Sequence, residues 1–436
     1  MLPCVKPVVY RPKLYCRVTA GSIGLTLKSM TEHHTLTASV LNDASNAPLL
    51  YDLKGLDRLK GAQQGNCERS RGLLSELRGC ADEAMRRGPH SVVHKSDLPP
   101  SQDPHDYYHP APYFWPRKYF GHWLPAQRRD GQRVPGTRLY EPESDRYDRT
   151  RLQRLFDDTL VLALAWTVTA EDRYAQQAIR LVETWFVNAE TRMNPHLNYA
   201  QVRPGRSKKQ GSKSGLIEFK DVYFFLDAVR LLQGHPQWTD SLDQAFKGWM
   251  WEYCDWLLSS RQGRAESASK NNHGTCYDLQ LGAIAVFLGA QELLDPVLQG
   301  LEQRLLEQFT TEGFQPLEAG RTQTQHYFAF NLQCWLNLAA LTGAVGVDLW
   351  ELSSSVKRPL TRALDYFLCY MDRRWEMAQL DAFAPERFGP LVVAYNARQA
   401  DPLQQLPFSA RLNPIMFPHD GVRPFWMLGP EFLSGT

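Results

Sequence analysis

Between residues 150 and 372 the apolar residues return at helical rather than strand spacing, segment after segment, with only short glycine, proline or polar links between them. Candidate helices cover 150–169, 171–187, 216–233, 240–260, 276–291, 295–309, 325–343 and 355–371. In the first, Leu155, Leu160, Leu162, Ala163 and Trp166 follow a helical period. Few stretches alternate as strands do. Consecutive helices on short links pack as hairpins, so the pattern predicts an all-α chain built as an (α/α) toroid or a solenoid. No exact sequence repeat marks the hairpins.

The flanks read differently. Residues 1–45 lack periodicity, and 1–47 is expected to be a poorly ordered leader before a single domain over 48–436. Helical material first returns across 48–88, where Leu56, Leu59, Leu73, Leu74, Leu77 and Met85 recur among charges. Residues 97–149 hold Pro99, Pro100, Pro104, Pro110, Pro112, Pro116, Pro125 and Pro135 among many aromatics, a density that forbids a long helix. A loop of that length inside a domain is usually functional or disordered, and its aromatics argue for one packed on something. The tail, 374–436, is again rich in proline and aromatics and is expected to cross the barrel or its rim.

Composition removes several function classes. With 43% hydrophobic and 22% charged residues the chain reads as globular. A net charge of +2 provides no global basic field for nucleic acid. No apolar run is long enough to span a membrane, and no clear signal peptide stands at the start. The eight cysteines, Cys4, Cys16, Cys67, Cys80, Cys254, Cys276, Cys334 and Cys369, include no CxxC pair, which argues against a zinc ribbon or disulfide scaffold. His105 and His109 invite a metal reading, but Pro104 and Pro110 keep them off one helix face and no HExxH occurs. No metal or cofactor is expected.

The chemistry gathers in two clusters. Asn271-Asn272-His273 precedes the long apolar run from Leu279 to Leu288, and Glu318-Ala319-Gly320-Arg321 is followed by His326-Tyr327. The plain reading of each is a capped helix start with a satisfied histidine or a core tyrosine. Together they offer a charge neutraliser, a base and a phenolic acid, the equipment for taking a proton from beside a carboxylate. Asn194-Pro195-His196-Leu197-Asn198-Tyr199-Ala200-Gln201 is either a turn or a donor of hydrogen bonds to sugar hydroxyls. His105-Asp106-Tyr107, Tyr113 and Trp115 offer aromatic subsite walls, or core. Arg203, Arg206, Lys208, Lys209 and Lys213 form a basic loop, solvated or a guide for a polyanion.

In this order the clusters resemble the alginate lyase superfamily of polysaccharide lyases. The similar pieces are Pro89-His90-Ser91-Val92-Val93-His94-Lys95-Ser96, Leu98 to Tyr107, Ala111-Pro112-Tyr113-Phe114-Trp115-Pro116, Asn198-Tyr199-Ala200-Gln201, Asn271 to Thr275 with Tyr277-Asp278, Gln315-Pro316-Leu317-Glu318, Arg321-Thr322 and Gly346-Val347-Asp348-Leu349-Trp350. They cover roughly residues 50–372. The resemblance implies an incomplete (α/α) toroid and β-elimination of a 4-linked polyuronate, most simply alginate containing mannuronate. It implies catalytic roles for four residues. Asn272 and Arg321 neutralise the C6 carboxylate, His273 is a base, and Tyr327 is the acid, or both acid and base when proton and leaving group share a face. His105, Tyr107, Tyr113, Trp115, Asn198, Tyr199, Gln201, Asn271 and Glu318 complete a candidate substrate-binding set.

Departures from the pattern are Cys276 in place of a bulky aromatic, Gln102 in place of a glycine, and the strongly basic loop. The family implies a periplasmic or extracellular setting, which the leader does not announce. The expected partner is an anionic polysaccharide. Three alternatives stay open: a lyase for glucuronan or another polyuronate, an (α/α)-barrel glycoside hydrolase using two of Asp106, Asp278 and Glu318, and a non-catalytic uronate-binding protein.

Overall fold

The computed structural model describes residues 38–51, 53–61, 68–120, 122–205, 210–352 and 358–398. Contacts divide the chain into Met1–Leu36 and Thr37–Thr436. The first unit, and with it most of the expected leader, lies outside the described residues, as do Arg206, Lys208 and Lys209. The described end of the leader carries a helix, α1 (Ala38–Asn46), which packs on a later helix of the inner ring described below. Just beyond it the backbone N–H groups of Leu49 and Leu50 donate to Asp227.

Helices α2 (Leu53–Gly61) and α3 (Glu68–Met85) precede the proline-rich segment. That segment holds strands instead of helix. Strand β1 (Tyr108–Pro110) is followed by a hairpin of β2 (Phe114–Tyr119) and β3 (His122–Arg128), whose register shifts between Trp115 and Arg117. Pro116 falls at that irregularity, where a missing N–H costs the ladder least.

The main helices follow: α4 (Arg149–Thr169), α5 (Asp172–Val182), α6 (Val222–Leu232), α7 (Asp240–Ser259), α8 (Arg261–Ser267), α9 (Asn272–Leu288), α10 (Gln291–Gln308), α11 (Pro316–Ala319), α12 (Thr324–Ala344), α13 (Pro359–Leu368) and α14 (Phe388–Asn396). Between α5 and α6 a fourth strand, β4 (Tyr199–Val202), pairs in parallel with β1.

Two classes of helix explain the arrangement. Helices α4, α6, α9 and α12 are buried on nearly every side, and each packs on the next of the four across the intervening outer helices. A helix apolar all round belongs inside. Around them lie α3 and α5 against α4, α7 and α10 against α9, and α13 and α14 against α12. This inner and outer pairing is the all-α toroid expected from the sequence. Trp185, Trp335, Phe156, Phe219 and Phe225 are fully buried between the layers, each contributing roughly 1.5–3 kcal/mol by removal from water.

Local rules set the ends. Thr239 and Ser260 accept the N–H groups of Leu242 and Gly263 at the starts of α7 and α8. Gly289 closes α9 at φ 64, a left-handed cap that glycine adopts without strain. Gln102 sits at φ 64 where the resemblance led us to expect glycine. The described part of the tail crosses the start of α12: Thr324 N–H donates to Ala378 O at 2.9 Å and Gln325 N–H to Gln379 Oε1 at 3.0 Å.

Candidate active site

The start of α9 is capped from a distance. Asn271 holds an extended backbone at the N-cap and its side chain makes no cap bond. Glu318, brought in by α11, accepts from Asn272 N at 2.8 Å and from Asn272 Nδ2 at 2.7 Å. A carboxylate here satisfies an orphan donor and suits the positive end of the helix. Burial pushes the Glu318 carboxyl up, against the pull of the two Asn272 bonds. These contacts place Asn272 in one rotamer, and its Oδ1 is buried with no partner among the described residues.

His273, the next residue, is held by α8. Its Nδ1 lies 2.5 Å from Glu266 Oε1. Glu266 is 1% exposed, and its other oxygen accepts from Ser269 Oγ, which in turn receives Lys213 Nζ at 2.6 Å. A carboxylate on Nδ1 fixes the tautomer and turns Nε2 to the cleft. Gly274 follows because a side chain there would strike Arg304 and Ser269 O. Arg304 uses that space to reach Ser269 O, Ser267 O and Asp278, tying α10 to the start of α9.

Arg321 and Tyr327 meet although six residues apart, because Arg321 lies before α12 and folds back over its first turn. Arg321 Nη2 donates to the Tyr327 hydroxyl at 2.5 Å, and the guanidinium lies 3.6 Å from the ring centroid. Asp130 accepts from Arg321 Nε and Nη2, both at 3.1 Å, and from Thr322 N. Burial alone would raise Asp130; the bonds to Arg321 outweigh it and hold the carboxyl below its usual range. Burial pushes the Tyr327 phenol well above its ordinary value, nearby Tyr113 adds to this at 3.5 Å between hydroxyls, and Arg321 opposes it. Tyr327 therefore rests protonated.

Asn271, Asn272, His273, Arg321, Tyr327 and Tyr113 line one cleft of about 530 Å³. Its walls also carry Arg128, Arg133, Arg149, Arg203 and Lys220, and among the described lining residues Glu218 is the sole carboxylate. Low-dielectric walls of one sign concentrate a polyanion far beyond what a net charge of +2 would suggest.

The cleft gathers Asn271, Asn272, His273, Arg321, Tyr327, Tyr113 and Gln201 from the sequence-derived set. It does not gather the others. Tyr107 is 0% exposed and spends its hydroxyl on Glu218 at 2.7 Å. Trp115 is turned away by the strand alternation that points Phe114 inward; its Nε1 donates to Gln132 O and Arg129 stacks on it at 4.8 Å. His105 Nδ1 is bound at Arg192 O, Asn198 Oδ1 accepts from Trp256 Nε1, and Tyr199 pairs with Tyr108 in the β1–β4 ladder. Glu318 stands behind Asn272 and positions it.

The carboxylates considered for hydrolysis are also occupied elsewhere. Asp106 accepts from Ser101, Asn194 and lies 3.2 Å from His196; Asp278 pairs with Arg304. None of Asp106, Asp278 and Glu318 lines the cleft.

Glu266, Glu218, Asp130, Arg149 and Lys220 carry no motif that singled them out in the sequence, and His109 stood out only as a metal candidate. Glu266 stands seven residues before His273 and is the one with a local signal. Glu218 and Asp130 reach partners 109 and 191 residues away. The basic loop is split: Arg203 lines the cleft over Phe114 at 4.1 Å and Lys213 reaches toward Glu266.

The profile of the alginate lyase family matches residues 91–376. Among solved structures, an alginate lyase from Bacteroides ovatus is 30% identical, with TM-score 0.74, covering 81% of this chain and 92% of that one. Alginate lyase A1-III from Sphingomonas species A1 shares the fold at 14% identity and TM-score 0.55, covering 91% and 98%. No curated protein matches the chain.

Proposed function

The chain belongs to the alginate lyase family and is a polysaccharide lyase, and from that premise we propose that it cleaves a 4-linked polyuronate, alginate with mannuronate-containing blocks first, by β-elimination. The observation that carries this reading is the convergence of a carboxylate-oriented imidazole, His273, and a guanidinium-bound phenol, Tyr327, in a cationic cleft.

A C5 hydrogen beside a carboxylate is barely acidic, and removing it loads enolate-like charge onto that carboxylate. Arg321 commits Nε and Nη2 to Asp130 and Tyr327, which leaves the two N–H groups of Nη1 for the C6 carboxylate. Asn272 has one amide N–H left after Glu318. His273 Nε2 takes the C5 proton. Tyr327, resting protonated, gives its proton to O4 as the C4–O4 bond breaks, and the new end carries a C4–C5 double bond. When hydrogen and leaving group share a face, as in mannuronate, Tyr327 first gives its own proton to solvent, takes the C5 proton as a phenolate stabilised by Arg321 and passes it to O4, while His273 neutralises or orients the sugar. Among the described lining residues a hydrolytic reading lacks the facing pair of carboxylates it needs.

Tyr327→Phe tests the assignment. Turnover on polymannuronate should drop by roughly a hundredfold or more, with fold and much of the polymer affinity kept. His273→Ala should fall comparably on polymer whose hydrogen and leaving group lie on opposite faces. Near-full activity in either variant would remove that residue from the reaction.

A further inference from the structure

A second imidazole in the cleft is built like the first. His109, on β1, is 2% exposed, and its Nδ1 lies 2.7 Å from Glu218 Oε1. Glu218 is itself buried and its Oε2 accepts the Tyr107 hydroxyl at 2.7 Å. Burial would raise this carboxyl, yet His109, and after it Arg149, hold it below the usual range, so Glu218 is an anion. An anion on Nδ1 leaves Nε2 as the nitrogen for the cleft, where it has no partner among the described residues. With hydrogen on both ring nitrogens, Nδ1 donates to Glu218 and Nε2 is a donor for the cleft. The Tyr147 ring packs edge-on at 6.0 Å and supplies no charge.

Arg149 gives an independent sign of a ligand. It opens α4, lines the same cleft, is 9% exposed, and its Nη1 is buried without a partner among the described residues. Burying a guanidinium with an unmet donor is costly unless something supplies the acceptor. The elimination derived above uses Arg321, Asn272, His273 and Tyr327 and leaves His109 and Arg149 with nothing to do. A polyuronate carries a carboxylate on every sugar, so neutralising the reactive one leaves others to be met.

Resting on the functional reading above, we propose that His109 and Arg149 form a second carboxylate-binding station, which takes a carboxylate of the polymer other than the one activated at Arg321. Tyr107 and Glu218 hold the station from behind. His109 is thus a binding residue, distinct in its effect from His273.

The test is calorimetric binding of a saturated mannuronate oligomer, and of the same oligomer with its carboxylates reduced to alcohols, to the Tyr327→Phe protein. Adding His109→Gln or Arg149→Met should weaken the uronate oligomer by roughly tenfold or more, the scale of one charge-assisted bond, and leave the neutral oligomer unchanged. In the otherwise native enzyme His109→Gln should raise KM by a similar factor and keep kcat within a few-fold. Glu218→Gln, which keeps the side-chain shape, should act in the same direction should His109→Gln fail to fold. Unchanged uronate affinity in these variants, equal loss for both oligomers, or loss of kcat at constant KM would each overturn the station. If the Tyr327→Phe protein binds no uronate oligomer at all, the functional reading itself falls, and the station with it.

Discussion

At the scale of residues, the proposed reaction rests on side chains each held by an acid, buried for Glu266 and Glu318 and half-buried for Asp130. Glu266 orients His273, Glu318 orients Asn272, and Asp130 orients Arg321. A ring freed from its carboxylate samples other rotamers and the other tautomer, and loses its alignment with the proton it must take. Glu266→Ala should therefore lower kcat by roughly tenfold to a hundredfold with little change in KM; steady-state kinetics on polyuronate would read this, and an unaltered kcat would mean His273 needs no such support. Asn272, His273, Arg321 and Tyr327 were legible because each stands near the start of a helix, in a cluster too polar for capping alone. Of their acids, Glu318 was named in the sequence but its hold on Asn272 was not, and Asp130 comes from a segment 191 residues from Arg321. Tyr107 and Trp115 were misplaced for a related reason: nothing in an aromatic-rich loop says which ring faces core and which faces cleft until the strand register is known.

At the scale of elements, the apolar period located most of the toroid and misjudged its edges. Helix α9 starts at Asn272, four residues before the expected 276, because Glu318 caps it from α11 and lets polar residues fill its first turn. The β2–β3 hairpin was hidden by Pro116 and Pro125, which rule out helix without announcing strands. Helix α4 carries an unusual burden for an inner helix. Asp157 is buried within it, accepting from Tyr140 at 2.6 Å and Gln153 at 3.1 Å. Burial, with Asp221 and Asp158 nearby, pushes its carboxyl from 3.8 to about 7. The folded protein thus holds a proton that the unfolded chain releases near pH 3.8, so this group's contribution to stability falls as pH rises from there to about 7. Asp157→Asn removes that titration. Thermal midpoints taken from about pH 5 to about pH 8 should decline less steeply in the variant than in the native protein; parallel curves would show that Asp157 is ionised throughout.

At the scale of the whole molecule, a net charge of +2 conceals a cleft in which Arg128, Arg133, Arg149, Arg203, Lys220 and Arg321 face Glu218 alone among the described lining residues. Composition sums over the surface, whereas steering depends on where the charges converge. Raising salt from about 0.05 M to about 0.5 M shortens the screening length several-fold, so KM for a polyuronate should rise several-fold while kcat stays nearly constant; a salt-independent KM would remove the cleft cations from capture of the polymer. The toroid was readable from periodicity and the chemistry from two clusters, and it is the packing of α12 against α9 that sets those clusters in one cleft. The central claim is elimination on a polyuronate. It is tested most directly by incubating the purified protein with polymannuronate, polyguluronate and glucuronan in turn while following mid-ultraviolet absorbance. A rise is expected, greatest on mannuronate-containing polymer, as conjugated unsaturated ends accumulate. Shortened chains with no rise on any polymer would contradict it.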